Sequence, residues 1–222
     1  MLRRLLAACL LCASCGAPGG IPDEPVPPSM AEQALARGIR EVEAGRTDLG
    51  VLSLRRALEL APAEASSLRA EAHRWIGHAF VREGDPEGAL NELNQALDEA
   101  PLDAWTYYAC GTAWSALGED ESALACFTRA LELEPGHVKS LQWRAQLWLE
   151  RGRPAAAVDD LSAALLVVEA ADEAALAAWG GVRGELLETT LRLRAEAYAA
   201  TGDEERASLD RERRRALLEA RG

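Results

Sequence analysis

Lysine is almost missing from this 222-residue chain: Lys139 is the only one among 24 basic residues, and these face 36 acids for a formal net charge of −12. Phosphate binding depends on clustered positive charge that releases counterions, so this balance argues against a nucleic-acid partner. Catalytic spacings are missing too. No H-E-x-x-H or cysteine-rich zinc pattern occurs, and His73, His78 and His137 do not converge, the first two lying five residues apart on different helix faces. Neither a Gly-rich phosphate loop, nor G-x-S-x-G, nor a Cys/His nucleophile pair can be found. The chain is therefore expected to be no enzyme and to carry no metal or cofactor. Aromatics make up only 5% of the residues, yet six of those eleven are Trp, an excess that needs a structural explanation. An apolar fraction of 49% is enough to build a core.

Long hydrophobic runs are also lacking. The longest near the start, Leu5 to Ala13, follows Arg3 and Arg4 and precedes small residues, which describes a secretory signal. It is too short to span a bilayer, which takes roughly 20 apolar residues. Leu11-Cys12-Ala13-Ser14-Cys15 resembles a bacterial lipobox, whose cysteine is lipidated after cleavage; Cys12 stands where that motif usually has Leu. Leu6-Ala7-Ala8-Cys9 fits the motif better but leaves only Leu5 and Leu6 as apolar run, so Cys15 is the expected lipidation site. The alternative is an ordinary secretory peptide with incidental cysteines. Residues 16–30, rich in Gly and Pro and carrying Asp23 and Glu24, read as a tether between membrane and domain.

From residue 31 the chain repeats. Gly84, Gly118 and Gly152 recur every 34 residues, each after one amphipathic run and before another, as expected of a left-handed helix end and a tight turn. The same interval links Gly77 with Gly111, Ala89 with Ala123 and Ala157, Ala96 with Ala130 and Ala164, and Pro101 with Pro135. In five units two small residues stand twelve apart: Gly38 and Gly50, Gly77 and Ala89, Gly111 and Ala123, Ala145 and Ala157, Ala195 and Ala207. Small residues are expected where antiparallel helices approach to about 8–10 Å.

The pattern resembles the tetratricopeptide repeat (TPR) family, most closely over 70–103 and 104–137. There Gly77, Phe80, Gly84, Ala89, Leu93, Ala96 and Pro101, then Gly111, Trp114, Gly118, Ala123, Phe127, Ala130 and Pro135, stand in register. Units 31–64 and 138–171 match less fully; the latter has Glu169 where the terminating proline belongs, so its second helix is expected to run on toward Gly180 and Gly181. After an insertion at 172–187, residues 188–222 form a degenerate unit in which Arg211 and Arg214 replace apolar residues, as a terminal cap requires. Five residues, 65–69, are expected to lengthen the first helix of the second unit. The resemblance implies an all-α, right-handed α-solenoid of stacked helix-turn-helix units.

It also sorts the aromatics. Phe80, Tyr107, Trp114, Phe127, Trp148 and Tyr198 fall at packing positions, and Trp179 in the insertion stays unassigned. In TPR proteins other positions of each first helix line a concave groove; here they hold Trp75, Trp105, Tyr108 and Trp143, with Arg74, His78, Arg82, Lys139, Gln142 and Gln146 beside them. Large, rigid aromatics with polar rims suit a protein or peptide partner. The alternative is that Trp75 and Trp143 tuck between adjacent units as ordinary core. The Lys and Asn pattern of a carboxylate clamp for acidic chain termini is absent. Units 70–103 and 104–137 together carry a charge of −10, largely in and beside the turns, whereas the groove positions are close to neutral. Cys110 and Cys126 lie on the two helices of one unit, either as buried thiols or, in an exported compartment, as a disulfide.

The sequence thus predicts a membrane-anchored, exported lipoprotein of the cell envelope that acts as a protein-interaction scaffold through its groove. Its rival is a structural assembly factor acting through convex or terminal surfaces. The lipid anchor is the one membrane contact expected, and oligomeric state is left open.

Overall fold

The computed structural model describes residues 29–172 and 183–220. Cys15, the tether up to residue 28, Trp179 and most of the 172–187 insertion lie outside them. The described residues fold as ten helices paired into five hairpins: α1 (Met30–Glu43) with α2 (Thr47–Leu60), α3 (Ser66–Glu83) with α4 (Pro86–Glu99), α5 (Ala104–Ala116) with α6 (Asp120–Leu133), α7 (Val138–Glu150) with α8 (Pro154–Ala170), and α9 (Arg183–Thr201) with α10 (Glu204–Glu219). None is long and apolar enough to cross a membrane.

Each hairpin follows from local chemistry. Gly84 and Gly118 end their first helices at φ +82° and +76°, a left-handed turn that only glycine enters cheaply, and Gly45, Gly152 and Gly202 repeat it. Asp85, with Pro86 at the first helical position, caps α4 by accepting from the Gly88 amide, and Asp203 caps α10 in the same way. Ser29 and Glu32 form a reciprocal capping box at the start of α1.

The twelve-residue small pairs sit where each hairpin closes, all of them buried. A Cβ placed on Gly38 or Gly77 would stand 2.6 or 2.7 Å from the Cγ of Leu54 or Leu93, and one on Gly111 would meet the Phe127 ring, 2.6 Å from Cδ1. Packing between hairpins is apolar: Leu35, Val42 and Leu54 of the first meet Ala72, Ile76 and Ala79 of the second. Leu131, Val138, Leu141, Ala164 and Val168 close the far end around Leu186.

Two expectations are corrected. Helix α8 does not run on toward Gly180 and Gly181; although it continues about one turn past the end of α6, it stops at Ala170, where Ala171 turns extended at ψ 144°. Arg183 from α9 donates to the carbonyls of Val168, Glu169 and Ala171, satisfying acceptors that a helix end leaves without intrahelical donors. Residues 183–187, placed in the insertion, belong to α9, and Leu186 there is core. The early start of α3 at Ser66 and the polar surface of α10, with only Ala207 and Asp210 buried, match expectation.

Candidate functional site

The first helices α3, α5 and α7 succeed one another along one side of the stack, and the aromatics expected to line it meet there. Trp105 packs edge-on against Tyr108 (5.9 Å between centroids) and against His137 (4.3 Å), Tyr108 approaches Phe127 (6.2 Å), and Trp143 stacks on Phe127 at 6.3 Å. Such offset and edge contacts suit the ring quadrupoles. Trp143 is the most open member, 36% exposed. Burial pushes the Tyr108 phenol up to about 12, partly offset by a hydrogen bond from Trp143. Phe127, expected only as core, forms the floor of this cluster.

His137 is the residue sequence reasoning missed. It caps α7 by accepting the Ser140 amide at Nδ1 (3.2 Å), with the Ser140 hydroxyl 2.8 Å away. An acceptor at Nδ1 places the ring proton on Nε2, and that nitrogen is buried without a hydrogen-bond partner. The signal available in the sequence was the short-range H-x-x-S pattern at a helix start, which reads as a cap and carries no hint of the ring's second edge.

Trp75 lies one unit earlier. It packs against the core shared by the first two hairpins, so the alternative of a tryptophan tucked between units holds for its ring; its indole N–H is nevertheless buried and unpartnered. His78 meets the ring edge-on at 5.5 Å and the Arg74 guanidinium stands 5.9 Å from its centroid. Desolvation first, then the charges of Arg82, Lys139 and Arg74, push His78 down to about 4. His137 is likewise lowered to about 4 by burial, with Lys139 and Arg74 adding to the effect and Asp103 opposing it. Arg74 and Lys139 therefore act on both histidines, which brings α3, the α6–α7 turn and α7 into one electrostatic neighbourhood.

Two of the expected rim residues act elsewhere. Gln142 is buried and donates to the Leu186 carbonyl (3.2 Å) and the Thr190 hydroxyl (2.9 Å), tying α7 to α9; it does not line the groove, because the early start of α9 covers it. Arg82 donates to the Val42 carbonyl at 2.7 Å, satisfying the end of α1. Gln146 is exposed and donates to Glu150 at 3.1 Å, remaining on the rim. Lys139 is half-buried, its ammonium disfavoured by burial and supported by Glu185. His73 points away, to Glu92 at 2.8 Å.

A separate hollow lies on the first hairpin. Its volume is about 900 Å³, between α1 and α2, with Arg37, Arg40, Leu49, Leu52, Arg55 and Arg56 in its wall, and Leu49 and Leu52 are exposed. No group of His, Cys, Asp and Glu able to hold a metal occurs among the described residues.

The arrangement of hairpins is shared with solved structures. MamA superposes with a TM-score of 0.61 over 86% of this chain and 92% of its own at 15% identity. A thermophilic TPR protein of Thermus thermophilus gives 0.60 over 85% and 98% at 20% identity, and YrrB, described as a TPR protein with an unusual peptide-binding site, gives 0.55 over 84% and 86% at 18%. The fold is a TPR-like α-solenoid. Among sequence relatives, DnaJ homolog subfamily C member 3 of Rattus norvegicus is 32% identical over 95 residues, 43% of this chain, and NPGR2 of Arabidopsis thaliana is 29% identical over 89 residues, 40% of this chain. This chain spans about a fifth or less of either relative's length, 19% and 12%. The family model for the bacterial transcriptional activator domain matches residues 56–137, the stretch from α2 through α6 that includes the two most regular repeats.

Proposed function

We propose that this protein is an exported, lipid-anchored scaffold of the cell envelope that holds a partner protein segment on the concave side of its first helices. The observation that carries the reading is the ring cluster of Trp105, Tyr108, Phe127, His137 and Trp143, which ends in an exposed indole instead of closing into the core. Aromatic surface of this kind supplies contact area at low entropic cost. The described TPR-like fold and the structural neighbour named for a peptide-binding site support the same class of activity. The anchor rests on Cys15 and the basic and apolar residues before it.

Trp143→Ala removes the most open ring of the cluster, above the Phe127 ring. Crosslinked capture of envelope proteins by this variant is expected to lose the partner bound by the unaltered protein, with the helical circular dichroism unchanged; equal capture rejects the groove. Labelled palmitate is expected to follow the protein and to be lost in Cys15→Ala, and labelling that persists rejects the anchor.

A second reading, assembly through a terminal surface, is favoured by the hollow on the first hairpin. Leu49 and Leu52 are exposed there, and Arg37 and Arg40 make no ion pair with a described residue. Leu52→Glu abolishing capture while Trp143→Ala leaves it intact would establish that surface.

A further inference from the structure

Four buried side-chain nitrogens among the described residues lack a hydrogen-bond partner, and all four fall in the concave neighbourhood: Arg74 Nε, Trp75 Nε1, His78 Nδ1 and His137 Nε2. Elsewhere the buried polar side chains are well provided, Gln142, Thr190, Asp160 and Asp210 each with at least one partner. Native folds rarely leave a buried polar group without a partner, so four on one face point to a function.

The chemistry of three of the four is one-sided. Arg74 Nε and Trp75 Nε1 can only donate. His137 Nε2 must donate, since Ser140 holds Nδ1 as the acceptor. Of the two carboxylates that pair with the Arg74 guanidinium, Asp103 is already occupied: it accepts from the Trp105 and Thr106 amides at 3.2 Å and from the Thr106 hydroxyl at 2.5 Å, capping α5. Its oxygen lies 3.4 Å from Arg74 Nε without forming a hydrogen bond, and Glu71 stands 3.6 Å from the same guanidinium. Donors therefore outnumber acceptors, with Lys139 adding positive charge to the same neighbourhood.

We propose that the concave face beside α3, α5 and α7 is an acceptor-seeking subsite that takes side-chain carboxylates, Asp or Glu within a bound segment, on the N–H donors of Arg74, Trp75 and His137. The proposal rests on the groove reading above and adds the chemistry of the partner to it. Carboxylates satisfy N–H donors with charge-assisted bonds about twice as strong as neutral ones. The overall charge of −12 repels acidic chains from the rest of the surface, so acid-driven binding reports on this face.

The test follows indole N–H resonances of the full chain labelled with nitrogen-15, the Trp75 signal being assigned by its loss in Trp75→Phe. The probes are hexaglutamate with both ends capped, hexaglutamine with both ends capped, and hexaglutamine with a free terminal carboxylate. Capped hexaglutamate is expected to move the Trp75 signal downfield in a saturable manner, Arg74→Gln to weaken that response at least tenfold, and capped hexaglutamine to leave the signal in place. Lys139→Gln, which leaves the α5 cap untouched, is expected to weaken it in the same direction. A Trp75 signal unmoved by hexaglutamate, or moved equally by capped hexaglutamine, overturns the proposal, and a response only to the free terminus does so as well. If hexaglutamate fails while Trp143→Ala still abolishes partner capture, the carboxylate chemistry falls and the groove stands; if both fail, both fall.

Discussion

His137 and His78 are held neutral by their surroundings, at about 4 against an ordinary value near 6.5. As pH falls from 6.5 toward 4 the unfolded chain takes up protons that the native state refuses, so stability is full above 6.5 and is lost through that window. The loss is on the order of 3 kcal/mol for each histidine. Urea midpoints at pH 7.5 and 5 are expected to differ, with His78→Gln flattening the difference; coincident midpoints would contradict the assignment. At Cys110 and Cys126, both free thiols, the pair polarises: hydrogen bonding and burial push Cys110 up, while the Cys110 thiol lowers Cys126. Cys126 is also the less buried, so peptide mapping after brief alkylation is expected to find the label on Cys126 before Cys110. Residue-level roles were the least legible part of the sequence. Gln142 sits at a groove position of the repeat and is nevertheless a bridge to α9, because a neighbouring helix of unusual length decides its exposure.

Each hairpin is an element whose closure depends on one contact. Gly111 faces the Phe127 ring, whereas the equivalent place in the fourth hairpin holds Ala145 against Leu161, both fully buried. Gly111→Ala is therefore expected to cost about 1–3 kcal/mol in urea unfolding despite the helix propensity it gains, and Gly111→Ala with Phe127→Leu to recover most of it. The last two hairpins are also tied by forks, Arg144 to Asp160 at 2.9 and 2.7 Å and Arg194 to Asp210 at 2.7 Å twice. Arg144→Met leaves Asp160 buried without its partner, an expected loss of about 3 kcal/mol, and Asp160→Leu added to it restores stability. Turns and small pairs could be read from spacing because they depend on residues within one repeat. The end of α8 could not: Arg183, twelve or more residues away, supplies its donors.

At the scale of the whole molecule the five hairpins divide their labour. The charge of −10 carried by the second and third units is concentrated in and beside the turns, α10 presents a polar last face, and the tryptophans in excess of packing needs converge on the side of the first helices. The period made the solenoid legible, since every unit repeats the same contacts, whereas the orphaned nitrogens were not, because they bring α3 of one unit together with His137 in the turn before α7. Photocrosslinking tests the central claim most directly. With a photoreactive residue at Gln146 on the concave rim, at Ala125 on a second helix, or at Leu52 on the first hairpin, all exposed, the account predicts one discrete crosslinked partner from Gln146 and none from Ala125 or Leu52. Crosslinks from Leu52 or Ala125 with none from Gln146 would contradict it.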